Sequence, residues 1–297
     1  MVPKTRTCGG ILLADDGSAH ARAAVALICD LPLPPHCRVT VLRAFGSQQA
    51  GELGLLEEAL AGTCARLEER GFQVDSQLLL GSPAELITQF AEEQNPDLIV
   101  VGAKGLRSTL GILLGGVAQQ VVEYASHPVL VVREPYAPIE RVLLLTDGSP
   151  HSDQAMEFLR DFPLPANLDV RVMHVLPPPP LRPLIYTSVG EPVLYEPPMI
   201  SEVDKEEKEH EEKLGQEILE RTVHCLENDG IKTTAVLKSG DAATEIMEYI
   251  KENKINLTVC GSRGLGQVQS WLMGSVSRKL VHYSGCSVLV VRGPKAE

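Results

Sequence analysis

The sequence is poor in aromatic residues, which make up 4% of its 297 residues and include a single Trp. It has no apolar run long enough to span a bilayer, and its N-terminus lacks a basic region followed by an apolar core. We therefore expect a cytoplasmic protein without a membrane span or secretory signal. Ile, Leu and Val supply most of the hydrophobic content instead, as is typical of parallel sheets covered by helices.

The cysteines form no CxxC pair, and their number is odd. Scattered thiols of this kind indicate a reduced, cytosolic protein, and we predict that they pack in the interior and carry no chemistry. They are Cys8, Cys29, Cys37, Cys64, Cys225, Cys260 and Cys286.

Basic residues are outnumbered by acidic ones, which gives a net charge of −12. Nucleic acids and anionic membranes are bound chiefly through clustered Lys and Arg, so the sequence predicts neither as a partner. It also predicts no metal site. Any phosphate-bearing ligand must be held by local groups.

The chain contains an internal repeat, in which one sequence unit occurs twice. Asp16-Gly17-Ser18 recurs 131 residues later as Asp147-Gly148-Ser149, and Gly102 and Gly105 recur 159 residues later as Gly261 and Gly264. The second copy has therefore gained 28 residues, around the proline-rich stretch 177–201. We predict two domains, at 1–136 and 137–297, with the insert in the second.

Short apolar runs alternate with amphipathic stretches in each copy. In the first copy the predicted strands are 10–14, 39–45, 73–80, 98–101 and 129–132, and the predicted helices are 19–29, 53–70, one that starts at Pro83, and 115–125. This alternation predicts an α/β fold with right-handed crossovers. We expect two tandem doubly wound domains, each with a five-stranded parallel sheet of order 3-2-1-4-5 and helices on both faces.

Two stretches of the second copy resist this pattern. Prolines in 176–198 favour an extended loop, which could be a lid or partner contact but is more simply a tolerated surface insertion. The acidic run 202–213 is interpreted as the solvated beginning of an enlarged helix; docking of a basic partner is the alternative.

A glycine pattern follows the apolar run that ends at Gly261. Gly264 comes three residues later, and after nine more residues Gly274 precedes Ser275. Glycines there permit unusual backbone angles and close approach of a ligand, while Ser275 and Ser277 offer hydroxyl donors at a helix start. Because the N-terminus of a helix attracts anions, the pattern predicts phosphate binding.

This spacing resembles the nucleotide-binding signature of the universal stress protein family. The segment VLLLTDGS at 142–149 is similar to the family's first strand with its acidic motif, and His174-Val175 to the end of its second strand. The resemblance covers nearly the whole chain. It implies a tandem member that binds ATP or AMP, with or without Mg²⁺, as a stress-response sensor or regulator.

The resemblance also implies the site and the assembly. Thr146, Asp147 and Val175 would border the adenine and ribose; Cys260, Gly261, Arg263 and Gly264 would follow the ribose and phosphates; and Gly274, Ser275, Val276 and Ser277 would hold the phosphate tail. The last strands, 129–132 and 288–291, would pair as an internal pseudo-dimer. A homodimer of whole chains is left open.

Two of these residues also have an alternative interpretation that involves no ligand. Asp147 is expected beside the Gly261 loop, in the crevice between strands one and four, but it could instead be the N-terminal cap of the next helix, or serve in both ways. Arg263 is the one cation of the set and suits phosphate, but it could be an exposed loop residue.

The first copy departs from the motif. Gly116 and Ala118 stand where the second copy has Ser275 and Ser277, Lys104 replaces the Arg, and Ala44 replaces Val175. Each lost hydrogen bond to phosphate would weaken binding by about 1.5 to 3 kcal/mol. We predict that the first half is vacant or binds nucleotide weakly, and serves mainly as a structural partner.

Other functions are less well supported. Asp15-Asp16 suggests a phosphoacceptor receiver, but Gly81 and Arg133 stand where that module needs Asp and Lys. There is no Walker A motif and no nucleophile paired with a base, so we predict no catalytic residue and at most slow ATP hydrolysis. No GxGxxG follows strand one, against a dinucleotide or flavin enzyme. A nucleotide-independent scaffold remains the main alternative.

Overall fold

The computed structural model describes residues 9–34, 37–105, 114–165, 168–178, 202–264 and 273–292. The N-terminal half contains β1 (Gly10–Ala14), α1 (Ala19–Asp30), β2 (Arg38–Phe45), a 3-10 helix (Ser47–Glu52), α2 (Leu53–Glu68), β3 (Gln73–Leu80), α3 (Pro83–Gln94), β4 (Leu98–Gly102), α4 (Gly116–Tyr124) and β5 (Val129–Val132). The C-terminal half contains β6 (Arg141–Leu145), α5 (Pro150–Asp161), β7 (Asp169–Leu176), α6 (Glu202–Asn228), β8 (Thr233–Ser239), α7 (Ala242–Glu252), β9 (Leu257–Gly261), α8 (Ser275–Tyr283) and β10 (Ser287–Val291).

The strands form one ten-stranded sheet of order β3-β2-β1-β4-β5-β10-β9-β6-β7-β8. Each half has the predicted order 3-2-1-4-5 with parallel neighbours, which confirms the α/β fold class. The halves meet where β5 and β10 pair antiparallel, with Leu130 opposite Leu289. The predicted contact between the last strands is therefore confirmed, and it merges the two expected sheets into one.

The sheet is buried on both faces by helices. One apolar layer lies under α1, α2, α5 and α6, and the other under α3, α4, α7 and α8; each includes residues of both halves. Strands β4, β5, β9 and β10 are largely apolar and are buried along almost their whole length because helices cover them on both sides. The core thus continues across the junction.

Two arginines, one from each half, form equivalent hydrogen bonds across the junction. Arg133, after β5, donates to the carbonyls of Val281 and His282 at 2.7 and 3.2 Å. Arg292, after β10, donates to those of Val122 and Glu123 at 2.8 and 2.7 Å. A cation is favoured at the carbonyl end of a helix, so each half holds the last helix of the other.

Helix α6 has 27 residues and takes in the whole acidic run 202–213. Residues 208–213 are exposed, so this run is the solvated start of the helix, as predicted. Of the proline-rich insert, 179–201 lies outside the described residues. No described helix is both long and apolar enough to cross a membrane.

Candidate functional site

The candidate site lies at the carboxyl ends of β6 and β9, which run parallel side by side with Val142 opposite Leu257 and Leu144 opposite Val259. The chain leaves β6 through the turn 146–149 and leaves β9 through the loop 261–264. Ligands of doubly wound sheets bind in such a crevice because the connections on its two sides diverge.

The carboxylate of Asp147 lies against the glycine loop. Its Oδ1 accepts the N–H of Ser149 at 3.0 Å. Its Oδ2 lies so close to Gly264 that a Cβ at that position would collide with it. The structure therefore brings Asp147 and the loop into contact, and the absence of a side chain at 264 is what permits the approach.

The alternative role of Asp147, as the cap of the next helix, is wrong. Ser149 is the N-cap of α5: it has extended backbone angles, and its Oγ accepts the N–H of Ser152 at 3.2 Å. Helix α5 begins at Pro150, which places Asp147 too early in the chain to cap it.

Gly261 is a glycine for a reason the sequence did not reveal. A Cβ there would lie 2.5 Å from the carbonyl oxygen of His151 and 2.6 Å from its carbonyl carbon, in the first turn of α5. The described residues with positive φ do not include Gly261, Gly264 or Gly274. Packing against the protein's own helix, rather than backbone freedom, therefore requires glycine at 261.

The loop after β9 is joined directly to the start of α8. The N–H of Gly274 donates to the carbonyl of Ser262 at 2.8 Å, and a Cβ at 274 would lie 3.3 Å from the Cα of Arg263. Gly274 is the N-cap, so the unpaired N–H groups of the first turn of α8 begin beside the loop.

The two serines of the motif have different environments. Ser275 is exposed at the first position of α8. Ser277 is buried, and its hydroxyl donates to the carbonyl of Gly261 at 2.7 Å. The Ser277 hydrogen is thus engaged inside the protein, and Ser275 is the better placed of the two to donate to a ligand.

Ser277→Ala is expected to lower the free energy of unfolding by about 1 to 2 kcal/mol, because it removes a buried hydrogen bond between α8 and β9. Urea denaturation monitored by circular dichroism measures this change. Ser275→Ala is the control and should alter stability little, since that side chain is exposed. Equal destabilisation by both changes would contradict the assignment.

Sequence reasoning missed His174 as a site residue. Its Nδ1 lies 2.8 Å from the carbonyl oxygen of Thr146, and because a carbonyl only accepts, Nδ1 carries the proton. His174 thereby fixes the turn that presents Asp147. The sequence did offer one signal: His174 lies 131 residues after Arg43, the same offset that separates Asp147 from Asp16. The Nε of Arg43 likewise donates to the carbonyl of Asp15, at 3.3 Å. Val175 is half-buried beside it.

The remaining predicted residues act in different ways. Burial raises the pKa of the Cys260 thiol to about 12, although a hydrogen bond with Ser277 opposes the shift, so this thiol stays protonated and inert. Arg263 is half-buried. Burial lowers the pKa of Arg292, and the charge of Arg263 lowers it further, which places a second cation, missed from the sequence, near Arg263.

The first half repeats the acidic turn. Asp16 Oδ1 accepts the N–H of Ser18 at 3.0 Å, and a Cβ on Gly105 would lie 2.5 Å from Asp16 Oδ2. The N–H of Gly115 donates to the carbonyl of Ala103 at 2.7 Å, as Gly274 does to Ser262. The backbone frame is therefore the same in both halves, while the hydroxyls of the second are absent from the first.

A parallel sheet with an acidic turn against a glycine loop at its carboxyl edge defines a doubly wound α/β protein, here with that arrangement in each half. The sequence model of the universal stress protein family matches residues 9–133 and 138–292. The chain belongs to the universal stress protein family, as the motif resemblance predicted.

One similar protein matches nearly the whole of this chain, and another matches about half of it. A universal stress protein of Mycolicibacterium smegmatis is 28% identical over 95% of this chain and 97% of its own. YxiE of Bacillus subtilis is 29% identical over 51% of this chain and 98% of its own. The crystal structure of a universal stress protein from Archaeoglobus fulgidus has a TM-score of 0.64 over 97% of both chains at 21% identity, a likeness of fold alone.

Proposed function

We propose that the C-terminal half binds an adenine nucleotide, ATP or AMP, and that the protein is a cytoplasmic sensor or regulator in the stress response. The observation that carries this proposal is the contact between the Asp147 carboxylate and Gly264, in a loop joined to the start of α8. This contact supports the proposal because a hydrogen-bond acceptor and the N–H groups that begin α8 then lie at one crevice, as a ligand with a sugar and a phosphate would need.

The residues present fit the parts of a nucleotide. The Asp147 carboxylate suits a sugar hydroxyl or a base N–H, and Thr146 and Val175 border the same end. Ser275 and the first N–H groups of α8 suit phosphate oxygens, with Arg263 as a cation nearby. The family likeness supplies the choice of adenine.

In this proposal the protein side chains do not themselves form a binding site for Mg²⁺. Within the described residues no three His, Cys, Asp or Glu side chains are grouped to hold a metal ion. A Mg²⁺ ion that accompanied ATP would take its ligands mainly from phosphates and water.

We propose that the first half does not bind nucleotide strongly and is mainly a structural partner of the second half. We take 1–136 and 137–297 as the two domains, joined through β5 and β10. Gly116 provides no hydroxyl where Ser275 does, so a phosphate chain would lose that donor in the first half, and Ala118 also lacks the hydroxyl with which Ser277 joins α8 to β9.

Titration calorimetry and thermal melting with ATP and AMP test the nucleotide proposal. ATP at a hundred times its Kd should raise the free energy of unfolding by about 2.7 kcal/mol. Gly274→Val combined with Ser275→Ala should abolish both the heat signal and the stabilisation, and Ser275→Ala alone should weaken binding about tenfold or more.

The matched control is Gly115→Val combined with Gly116→Ala, at the same positions of the first half, which should leave ATP binding unchanged. Circular dichroism establishes that each variant is folded. Equal loss in both pairs would contradict a site in the second half. Failure of the native protein to bind either nucleotide would instead favour a nucleotide-independent scaffold.

A further inference from the structure

The linker that follows β5 is docked against helix α1 of its own half. The N–H of Glu134 donates to Nδ1 of His20, in the first turn of α1, at 3.0 Å. The hydroxyl of Tyr136 donates to Asp30, the last residue of α1, at 2.7 Å. The linker therefore contacts both ends of this helix.

The far end of the linker is also fixed. The N–H groups of Glu140 and Arg141 both donate to Oδ1 of Asn256 at 3.0 Å. Ile139, just before them, is 7% exposed and belongs to the apolar layer under α1 and α5. The linker is thus a packed segment that is held along its length by hydrogen bonds and burial.

The second half has an equivalent groove beside α5, the helix that corresponds to α1 in the repeat. It is a cavity of about 650 Å³ between Arg292, after β10, and Asp97, before β4. Asp97 accepts the N–H groups of Gly9 and Gly10 at the start of β1. Asn256 holds the start of β6 in the same way. This α5 groove is lined by Gln154, Glu157, Phe158, Asp161, Leu98 and Arg292, among others.

Two polar atoms of α5 have no hydrogen-bond partner within the part of the chain that the structure describes. Nδ1 of His151 is buried and unpaired, whereas its counterpart His20 accepts the N–H of the linker. Oε1 of Gln154, three residues further along and in the wall of the α5 groove, is buried and unpaired as well. Buried acceptors are almost always paired in folded proteins, so this face of α5 suits a chain segment that offers N–H groups.

The segment that follows β10 has the sequence pattern of the linker. Residues 293–297, which lie outside the described residues, are Gly-Pro-Lys-Ala-Glu, and 134–138, at the repeat offset of 159, are Glu-Pro-Tyr-Ala-Pro. Pro and Ala recur at the same two places. Lys295 stands where the linker has Tyr136, and a Lys ammonium, like a Tyr hydroxyl, donates hydrogen bonds.

The charge of the α5 groove complements that lysine. Asp161 is the counterpart of Asp30, which binds the Tyr136 hydroxyl, and it is exposed. Arg160 already pairs with Asp161, but a carboxylate has two oxygens and accepts several donors. Carboxylates outnumber guanidinium groups in the lining, which contains Glu92, Asp97, Glu157 and Asp161 with Arg160 and Arg292. The groove therefore favours a segment that carries a cation.

We propose that the α5 groove is the docking site of the segment 293–297 of this same chain. The N–H of Gly293 donates to Nδ1 of His151, and the ammonium of Lys295 pairs with the carboxylate of Asp161. The segment crosses the groove of the second half as the linker crosses that of the first.

The docked segment supports the start of α5. The carbonyl of His151 is the group against which Gly261 packs, and in the first half His20 packs against Gly102 in the same way. Each crevice is thus braced by the segment that follows the last strand of its own half. This support is independent of nucleotide binding.

Amide hydrogen exchange of the full chain, followed residue by residue by NMR, tests the inference. The Gly293 amide should exchange about tenfold or more slowly than an unstructured backbone amide. Glu134, whose hydrogen bond to His20 is seen in the structure, is the internal standard. His151→Ala should remove the protection of Gly293 and leave that of Glu134. His20→Ala should do the reverse, and circular dichroism establishes that both variants are folded.

A charge swap tests the ion pair without changing the first turn of α5. Lys295→Glu puts a second carboxylate beside Asp161 and should make the Gly293 amide exchange about two- to fivefold faster. Adding Asp161→Lys to Lys295→Glu should restore the slower exchange. Lys295→Arg, which keeps the charge, should leave the exchange unchanged.

Several results would overturn the inference. One is a Gly293 amide that exchanges at the unprotected rate while Glu134 is protected; another is a protected Gly293 amide that neither His151→Ala nor Lys295→Glu affects. Protection that grows with protein concentration would assign the groove to a second copy of the chain. Protection of amides in 2–8 in place of Gly293 would assign it to the segment before β1. None of these results bears on nucleotide binding, which calorimetry of the native protein reports separately.

Discussion

Gly261→Ala is expected to lower the free energy of unfolding by about 3 kcal/mol, the upper end of the usual penalty for overpacking a core. The new Cβ would meet the carbonyl group of His151 at 2.5 to 2.6 Å. Because this obstacle is helix backbone and not the end of a flexible side chain, α5 must shift away from β9. That shift would also disturb the turn that carries Asp147.

Differential scanning calorimetry measures the effect, which should be a fall in Tm of about 6 to 12 °C. Gly116→Ala is the control, because a Cβ at the first position of α4 meets nothing within 4 Å; it should be neutral or slightly stabilising. If Gly261→Ala melted within about 2 °C of the native protein, close packing against His151 would not be the reason for the glycine.

Most of the sheet could be predicted from the sequence because its strands are short, bounded by turn residues and rich in apolar residues, although β3 and β8, at the two edges of the sheet, are only partly apolar. Strands β1, β3 and β5 have the predicted bounds. Helix ends shift by one or two residues, since they depend on cap geometry: Gly115 was expected inside α4 but is its extended N-cap. The 3-10 helix Ser47–Glu52 was not predicted, because its polar and glycine residues have no apolar period.

For the candidate site, the sequence predicted which turns meet but not what each atom does there. Parallel strands bring their carboxyl ends to one edge, so Asp147 and Gly264 could be placed together from topology alone. The hydrogen bond from Ser277 to Gly261 and the support of Thr146 by His174 arise only when helices and strands pack in three dimensions. The offset of 131 residues that matches His174 to Arg43 marks an equivalent position, but it does not say which atom either side chain contacts.

Arg43→Ala is expected to lower the free energy of unfolding by about 3 to 5 kcal/mol, because it leaves the Asp15 carboxylate buried without its counter-ion. Thr63 and the N–H of Gly17 would still donate to Asp15, but neither carries a charge. Urea denaturation of the full chain measures the loss, and the exposed pair formed by Arg38 and Asp75 provides the control. Arg38→Ala should cost less than about 1 kcal/mol.

The second half shows how the same position is built without an ion pair: Thr146 stands where the first half has Asp15, and His174 where it has Arg43. The double change Asp15→Thr and Arg43→His should therefore restore most of the stability lost in Arg43→Ala, since replacing both members of a buried ion pair is far less harmful than removing one. A double variant as unstable as Arg43→Ala would mean that the guanidinium acts by filling space and not by neutralising Asp15. Recovery would show that the two halves use interchangeable ways to hold the turn after their first strand, one with a buried ion pair and one with a hydrogen bond from His174 to the Thr146 carbonyl.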